Sequence, residues 1–200
     1  MLKNIIFDLG NVCIEWDPDR VYDKYFVNSD LKEEFYLVTQ IKQLNIKFDL
    51  GLPFATGLDE LSLKFPQYKE PIWMWKNSWQ YMLGNEITGT FILLEELKAK
   101  GHNIYALTNW ADETFKYAES NFSWLNKFID IVVSGRENLI KPDPRIYQLL
   151  LTRNNLLANE SVFIDDSLIN VKTANNLGIT GLHFTNPDQL RIDLDFLGLL

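Results

Sequence analysis

The sequence predicts an α/β protein built on a doubly wound parallel sheet. Three short apolar runs carry that reading: Ile5-Ile6-Phe7, Ile104-Tyr105-Ala106-Leu107 and Val162-Phe163-Ile164. None alternates with polar residues, as a strand exposed on one face would, so each reads as a strand buried on both faces. Each run then gives way to a polar residue (Asp8, Thr108, Asp165), and helical patterns fill the stretches between the runs. Strands that alternate with helices imply parallel pairing. Ligands of such sheets bind beyond the carboxyl ends of the strands, so Asp8, Thr108 and Asp165-Asp166 are expected to face one crevice.

Taken in order, the first strand is followed by a different kind of sequence. From about Asp17 to Asn85 the chain is helix-like and aromatic, shows no clear buried strand, and ends in the Trp-rich stretch Pro71–Met82. It reads as a helical insert. The Trp cluster reads first as the insert's own core or a contact between copies, with a pocket wall as the alternative. A helix over Phe91–Lys100 ends at Gly101, a residue suited to a C-cap. The second strand follows, then a strand over Phe128–Val133. A helix begins at Pro144, where proline suits the first turn. After the third strand, a helix over Ser167–Leu177 ends at Gly178, and Gly181–Phe184 reads as the last strand. The expected division is a core of residues 1–15 and 87–200 with a helical cap of residues 16–86.

Composition narrows the class. Two hundred residues, 46% apolar and 14% aromatic, can bury a large core. A net charge of −8 argues against nucleic acid or an anionic membrane as partner. A small anionic substrate needs a local cation or helix N-terminus to reverse that field. Cys13 is the single cysteine, so no intrachain disulfide forms, which fits a reducing compartment. The N-terminal apolar run is cut short by Asp8, too early for a signal peptide, and no run approaches membrane-spanning length. A cytoplasmic protein is expected. His102 and His183 sit on or beside apolar segments and are not spaced as a metal pair, so both read as structural.

The Asp165-Asp166 pair is the sharpest local feature. Adjacent carboxylates raise one another's pKa unless a cation lies between them. Hard oxygen ligands of this kind favour Mg2+. Each chemical motif also has a bland reading. Asp165-Asp166 could be a solvated turn or helix cap, and Asp8-Leu9-Gly10 a strand-ending turn. Thr108-Asn109 could cap a helix starting near Ala111, and Lys141-Pro142 could be a surface turn. Their order and their placement at strand ends favour one shared site.

Asp8-Leu9-Gly10-Asn11-Val12, Leu107-Thr108-Asn109, Lys141-Pro142-Asp143-Pro144 and Asp165-Asp166 together resemble the four motifs of the haloacid dehalogenase superfamily. The resemblance runs from Asn4 to about His183. It implies a Rossmann-like core with an inserted helical cap, and an enzyme that mostly cleaves phosphate esters. On that resemblance Asp8 is the nucleophile, forming an aspartyl-phosphate that water then hydrolyses. Asp8, the Gly10 carbonyl, Asp165 and Asp166 hold Mg2+. Thr108 donates to a phosphoryl oxygen, Lys141 neutralises the phosphate, and Gly10, Asn11 and Asn109 lie against the substrate.

One position departs from the pattern. Most phosphatases of this superfamily carry a second Asp, the general acid, where this chain has Gly10. The Asp-Leu-Gly-Asn-Val form resembles a bacterial sugar-phosphatase branch that includes glucose-1-phosphate phosphatases, which points to a sugar phosphate as substrate. An anomeric hydroxyl is more acidic than an ordinary alcohol and needs less proton assistance to leave. Glu15 and Asp17, just past the first strand, are the candidate substitute acids. Trp110 and Arg145 read equally as residues that reach the substrate and as packing or surface residues, and both are kept out of the set that touches it. Two other readings stand beside this one. A metal-independent 2-haloacid dehalogenase would also lack the second Asp, but would not need Asp165-Asp166. A catalytically silent sugar-phosphate-binding protein would tolerate the loss at Gly10.

Overall fold

The computed structural model describes all 200 residues. β1 (Asn4–Phe7) is followed by a short strand, β2 (Ile14–Trp16). Five helices come next: α1 (Asp19–Tyr25), α2 (Ser29–Thr39), α3 (Ile41–Asp49), α4 (Phe54–Lys64) and α5 (Lys69–Asn77). β3 (Leu83–Glu86) returns the chain and pairs antiparallel with β2. The rest alternates: α6 (Thr88–Ala99), β4 (Asn103–Thr108), α7 (Asp112–Asn121), β5 (Ile131–Val133), α8 (Ser134–Glu137), α9 (Pro144–Arg153), β6 (Ser161–Asp165), α10 (Leu168–Asn176), β7 (Thr180–His183) and α11 (Pro187–Phe196).

β1, β4, β5, β6 and β7 form one parallel sheet in the order β5-β4-β1-β6-β7. The first strand in the chain is therefore the central one, with β4 on one side and β6 on the other. Strand order reverses between β1 and β6, and that is where a doubly wound sheet opens a crevice. Both faces are buried, as the unbroken apolar runs require. Ile5, Phe7, Ile104, Ala106, Val162 and Ile164 share the larger core, whereas Ile6, Tyr105, Leu107 and Phe163 share the smaller one. The period of two splits each strand cleanly between the faces.

The helix ends follow local chemistry. Gly101 (φ +88°) and Gly178 (φ +80°) take the left-handed conformation just past α6 and α10, where a β-carbon would be strained. Asp143 caps α9 through its side chain on the Arg145 amide, and Pro144 occupies the first turn.

The expectations need four adjustments. β5 starts at Ile131 instead of Phe128, because a 3-10 turn over Ser123–Lys127 runs into it and Ile129 stays 61% exposed. The insert is entered and left through the β2–β3 ribbon. β3 escaped notice because its residues are only partly buried or exposed and leave no apolar run. The helix expected near Ala111 begins at Asp112, and no side chain caps it. The C-terminal α11 had no counterpart among the expected elements.

No helix is long and apolar enough to cross a membrane.

Candidate active site

Three strand ends converge on one buried charge cluster. Asp8 follows β1 directly, and its amide donates to the Ile164 carbonyl at 2.8 Å, carrying the β1–β6 ladder one residue past the strand. Asp165 ends β6 beside it. Lys141, on the loop before α9, places its ammonium 2.9 Å from Asp8 Oδ1 and 2.6 Å from Asp165 Oδ2. The Lys141 and Asp165 side chains are 0% exposed and that of Asp8 is 11% exposed, so Asp8 is the member of the trio that reaches solvent.

An ammonium this deep must be over-paired to stay charged. Burial pushes the Lys141 pKa down, yet attraction to Asp8 and Asp165 outweighs it and leaves the pKa above its ordinary value. Asp8 shows the opposite balance. Burial pushes its pKa up to about 7, Lys141 opposes the rise, and Asp165 adds to it. Asp166 is also raised, by burial first and Asp165 second.

The surrounding contacts fix these groups. Asp165 accepts from Asn170 Nδ2 at 3.0 and 3.1 Å and from the Ser167 amide at 2.8 Å. Asn109 clamps the Lys141 backbone from both sides: its Oδ1 accepts the Lys141 amide at 2.8 Å and its Nδ2 donates to the Lys141 carbonyl at 3.0 Å. Asn11, at φ +54°, turns the chain after β1. Its Oδ1 accepts from the Trp16 amide at 2.9 Å, and its side chain also bonds Asp166. Asn tolerates this left-handed conformation better than most residues.

Thr108 ends β4, is 1% exposed, and its Oγ1 has no hydrogen-bond partner. An unpaired buried hydroxyl costs stability, so this one at the end of β4 calls for an explanation that packing alone does not give. The carboxylates of Asp8, Asp165 and Asp166 each offer an oxygen within 4.8 Å of the others. The chemistry of this all-oxygen set fits a hard divalent cation, and Asp8 and Asp166, raised by burial first and by the Asp165 charge after it, are carboxylates whose charged forms such an ion would stabilise.

In front of this cluster lies a cavity of about 160 Å3. Asp8, Gly10, Asn11, Asn109 and Asp166 line its core wall, and Lys141 and Asp165 adjoin it through Asp8. Trp16, Asn45, Asp49, Phe54, Trp79 and Leu83 supply the wall made by the insert. Trp110 joins them, packed 5.6 Å from Trp79 and with its indole N–H unpartnered. The Trp-rich segment thus does two jobs. Trp75 is fully buried in the insert's core and donates to Asn45 Oδ1 at 2.9 Å, whereas Trp79 borders the cavity.

The structure brings Asp8, Lys141, Asp165 and Asp166 together and sets Gly10, Asn11, Asn109 and Trp110 along the same cavity, while Asp143, Glu15, Asp17 and Arg145 lie away from it. Glu15 accepts from the Asn85 amide and pairs with Arg20, and Asp17 accepts from the Asp19 amide, so neither faces the cavity. Arg145 forks onto Asp143 at the surface, 71% exposed, and likewise stays away. His102 meets the Leu199 carbonyl and His183 the Asp166 carbonyl, both through Nε2. Sequence reasoning missed Asn170, although an Asn one helical turn past an Asp pair was a readable signal. It also missed Asn45, Asp49, Phe54 and Trp16, for which spacing gives no signal.

Comparison with known proteins gives the family. The sequence matches the haloacid dehalogenase-like hydrolases over residues 5–183. The chain belongs to this family. A sesquiterpene phosphatase of Aspergillus oryzae is 37% identical over 193 residues, spanning 92% of this chain and 90% of that protein. D-ribitol-5-phosphate phosphatase of Bacteroides thetaiotaomicron is 23% identical and spans 97% of both chains. A family enzyme of B. thetaiotaomicron, solved with magnesium and inorganic phosphate, has the same fold (TM-score 0.70, 24% identity, 93% of this chain and 96% of that one). This member of the family is a phosphatase.

Proposed function

We propose that the protein hydrolyses small phosphomonoesters with Mg2+, through a phosphorylated Asp8. The observation that supports it best is the Lys141 ammonium shared between Asp8 and Asp165 beside the free Thr108 hydroxyl. Asp8, the solvent-reaching carboxylate, attacks phosphorus while Lys141 and Thr108 hold the phosphoryl oxygens. Lys141 supplies the point charge that lets a protein of net charge −8 accept an anion. Asp8, Asp165, Asp166 and the Gly10 carbonyl would hold Mg2+, which when bound offsets the repulsion between nucleophile and phosphate. Asn109 positions Lys141 through its backbone, a more specific role than general substrate contact. In this reading residues 1–15 and 87–200 carry the chemistry and residues 16–86 close over it.

Sugar phosphates such as glucose 1-phosphate fit the mixed cavity, where Trp16, Trp79 and Trp110 can stack on a ring face and Asn45 can bond hydroxyls. The same aromatic wall favours a second substrate class, apolar alcohol phosphates, in keeping with the sesquiterpene phosphatase relative. A Mg2+-supplemented panel of sugar, polyol and isoprenoid monophosphates, read by phosphate release, separates the two. Release that survives EDTA would overturn the metal reading. Chloride release from 2-chloropropionate without phosphatase activity would favour a dehalogenase. Binding of a phosphosugar without turnover would favour a silent binding protein.

A further inference from the structure

An alkoxide leaving group needs a proton, and Gly10, Glu15 and Asp17 supply none at the cavity. We propose that Asp49, at the end of α3, is the general acid that protonates the leaving oxygen and the base that then activates water. This rests on Asp8 being the nucleophile.

The geometry supports it from several sides. Asp49 lines the same cavity as Asp8 but from the wall made by the insert, so an ester whose phosphorus sits on Asp8 extends toward it. Its carboxylate is held in place, not left to swing. Asn45 Nδ2 donates to Asp49 Oδ2 at 2.9 Å, Trp75 Nε1 fixes Asn45 in turn, and the Ala111 amide also bonds the carboxylate. The Asp49 carbonyl accepts from Ser134 Oγ at 2.6 Å, which ties the end of α3 to the residue after β5. Asp49 is thereby anchored to the core twice, through its carboxyl to the Ala111 amide after β4 and through its carbonyl to Ser134 after β5.

The electrostatics agree. Burial pushes the Asp49 pKa up to about 7, outweighing the Ala111 amide and the Asn45 side-chain amide that favour the carboxylate. The charged groups on neighbouring elements are engaged elsewhere: Glu113 with Lys76 and the Phe54 amide, Arg136 with Asp112 and Glu119, and Lys141 with Asp8 and Asp165. Asp8 and Asp166, the other acids of the cavity, can only keep the Asp49 proton in place. A group titrating near neutrality is suited to both giving and taking a proton.

The proton count closes. Asp8 Oδ bonds to phosphorus, the ester P–O bond breaks, and the departing oxygen takes the Asp49 proton to leave as the alcohol. Asp49, now a carboxylate, takes a proton from water as the water oxygen attacks the phosphoryl group. The Asp8–phosphorus bond breaks, inorganic phosphate leaves, and both aspartates return to their starting states.

The test compares a primary alkyl phosphate with p-nitrophenyl phosphate, whose leaving group needs no proton, in the Mg2+-loaded enzyme. For the wild type, the ratio of alcohol to nitrophenolate release falls as pH rises past about 7, since only the alkyl ester needs protonated Asp49. In Asp49→Asn, single-turnover alcohol release drops about 10²–10⁴-fold while the nitrophenolate burst keeps its rate and later turnover slows. Gly10 lines the same cavity and an added Cβ there meets nothing within 4 Å, so Gly10→Asp placed on Asp49→Asn restores alcohol release. Equal loss for both esters in the first step, or loss for neither, overturns the proposal. Should Asp49→Asn fail to fold, a wild-type ratio that stays flat across pH overturns it alone. If instead Asp8→Asn leaves both activities intact, the nucleophile reading has failed and not only the acid.

Discussion

The two walls of the cavity are built on opposite principles. The core wall is a set of charges at strand ends, each held by backbone or buried amides: Asn170 on Asp165, Asn109 on the Lys141 backbone, Lys141 between two carboxylates. The wall made by the insert is aromatic, with one small polar relay, Trp75 to Asn45 to Asp49. In the proposed function the first arrangement fixes where the phosphoryl group sits, and the second decides what may be attached to it. A charge cluster tolerates almost no substitution, whereas an aromatic wall can be recut without dismantling the site.

The largest effect expected separates chemistry from stability within the core wall. Asp8→Asn drops phosphate release to background, because an amide cannot serve as this nucleophile. Its melting temperature should hold or rise, since burial already disfavours the Asp8 charge and Lys141 keeps Asp165 as partner. Lys141→Met comes next and should strike both properties. It leaves two buried carboxylates without their cation, for a cost of about 3–5 kcal/mol in denaturant unfolding, and Mg2+ should restore part of that stability without restoring activity.

Changes to the opposite wall should be smaller and selective. Trp16→Ala removes one aromatic face of the cavity, and kcat/KM should shift between sugar and isoprenoid phosphates by about 10–100-fold, with the rate on p-nitrophenyl phosphate much less affected. An equal loss on all substrates would break the proposed division of labour. The last effect is a linkage. The folded pKa of Asp49 lies above its unfolded value, so the stability of its protonated form is present below about pH 4 and is lost as pH rises through about 7. Asp49→Asn cannot lose that proton. Whatever its offset, its unfolding free energy relative to wild type should improve between pH 5 and 8, by about 2–3 kcal/mol. A pH-independent difference would mean that Asp49 does not titrate there.

The same contrast explains what could be read in the sequence. Asp8, Thr108 and Asp165 each follow an unbroken apolar run, so local patterning places them at strand ends, and parallel topology puts strand ends together. Lys141 is legible because it sits beside Pro142 in a short motif. Asp49 has no such marker. It ends an amphipathic helix like many surface acids, and its position depends on how α3 packs against the turn after β5, a tertiary fact with no sequence period. Glu15 and Asp17 show the converse error. They are near Asp8 along the chain, but the β2–β3 ribbon turns them toward Asn85 and the start of α1. The short ribbon itself was hidden because a two-stranded, half-exposed pair needs no apolar run.

The central position of β1 has a consequence for how the chain is made. Asn4 pairs in register with Asn103 on one side and Ser161 on the other, so β1 has no partner until the chain has been made as far as β4, and no second one until β6. Contacts that distant in sequence close late and slowly. The helices between β2 and β3, by contrast, draw most of their partners from their own neighbourhood and can condense while β1 waits. During that interval Ile5, Ile6 and Phe7 form an unpaired apolar strand, and Lys3 before it and Asp8 after it are the charges that guard its ends against pairing with another nascent chain.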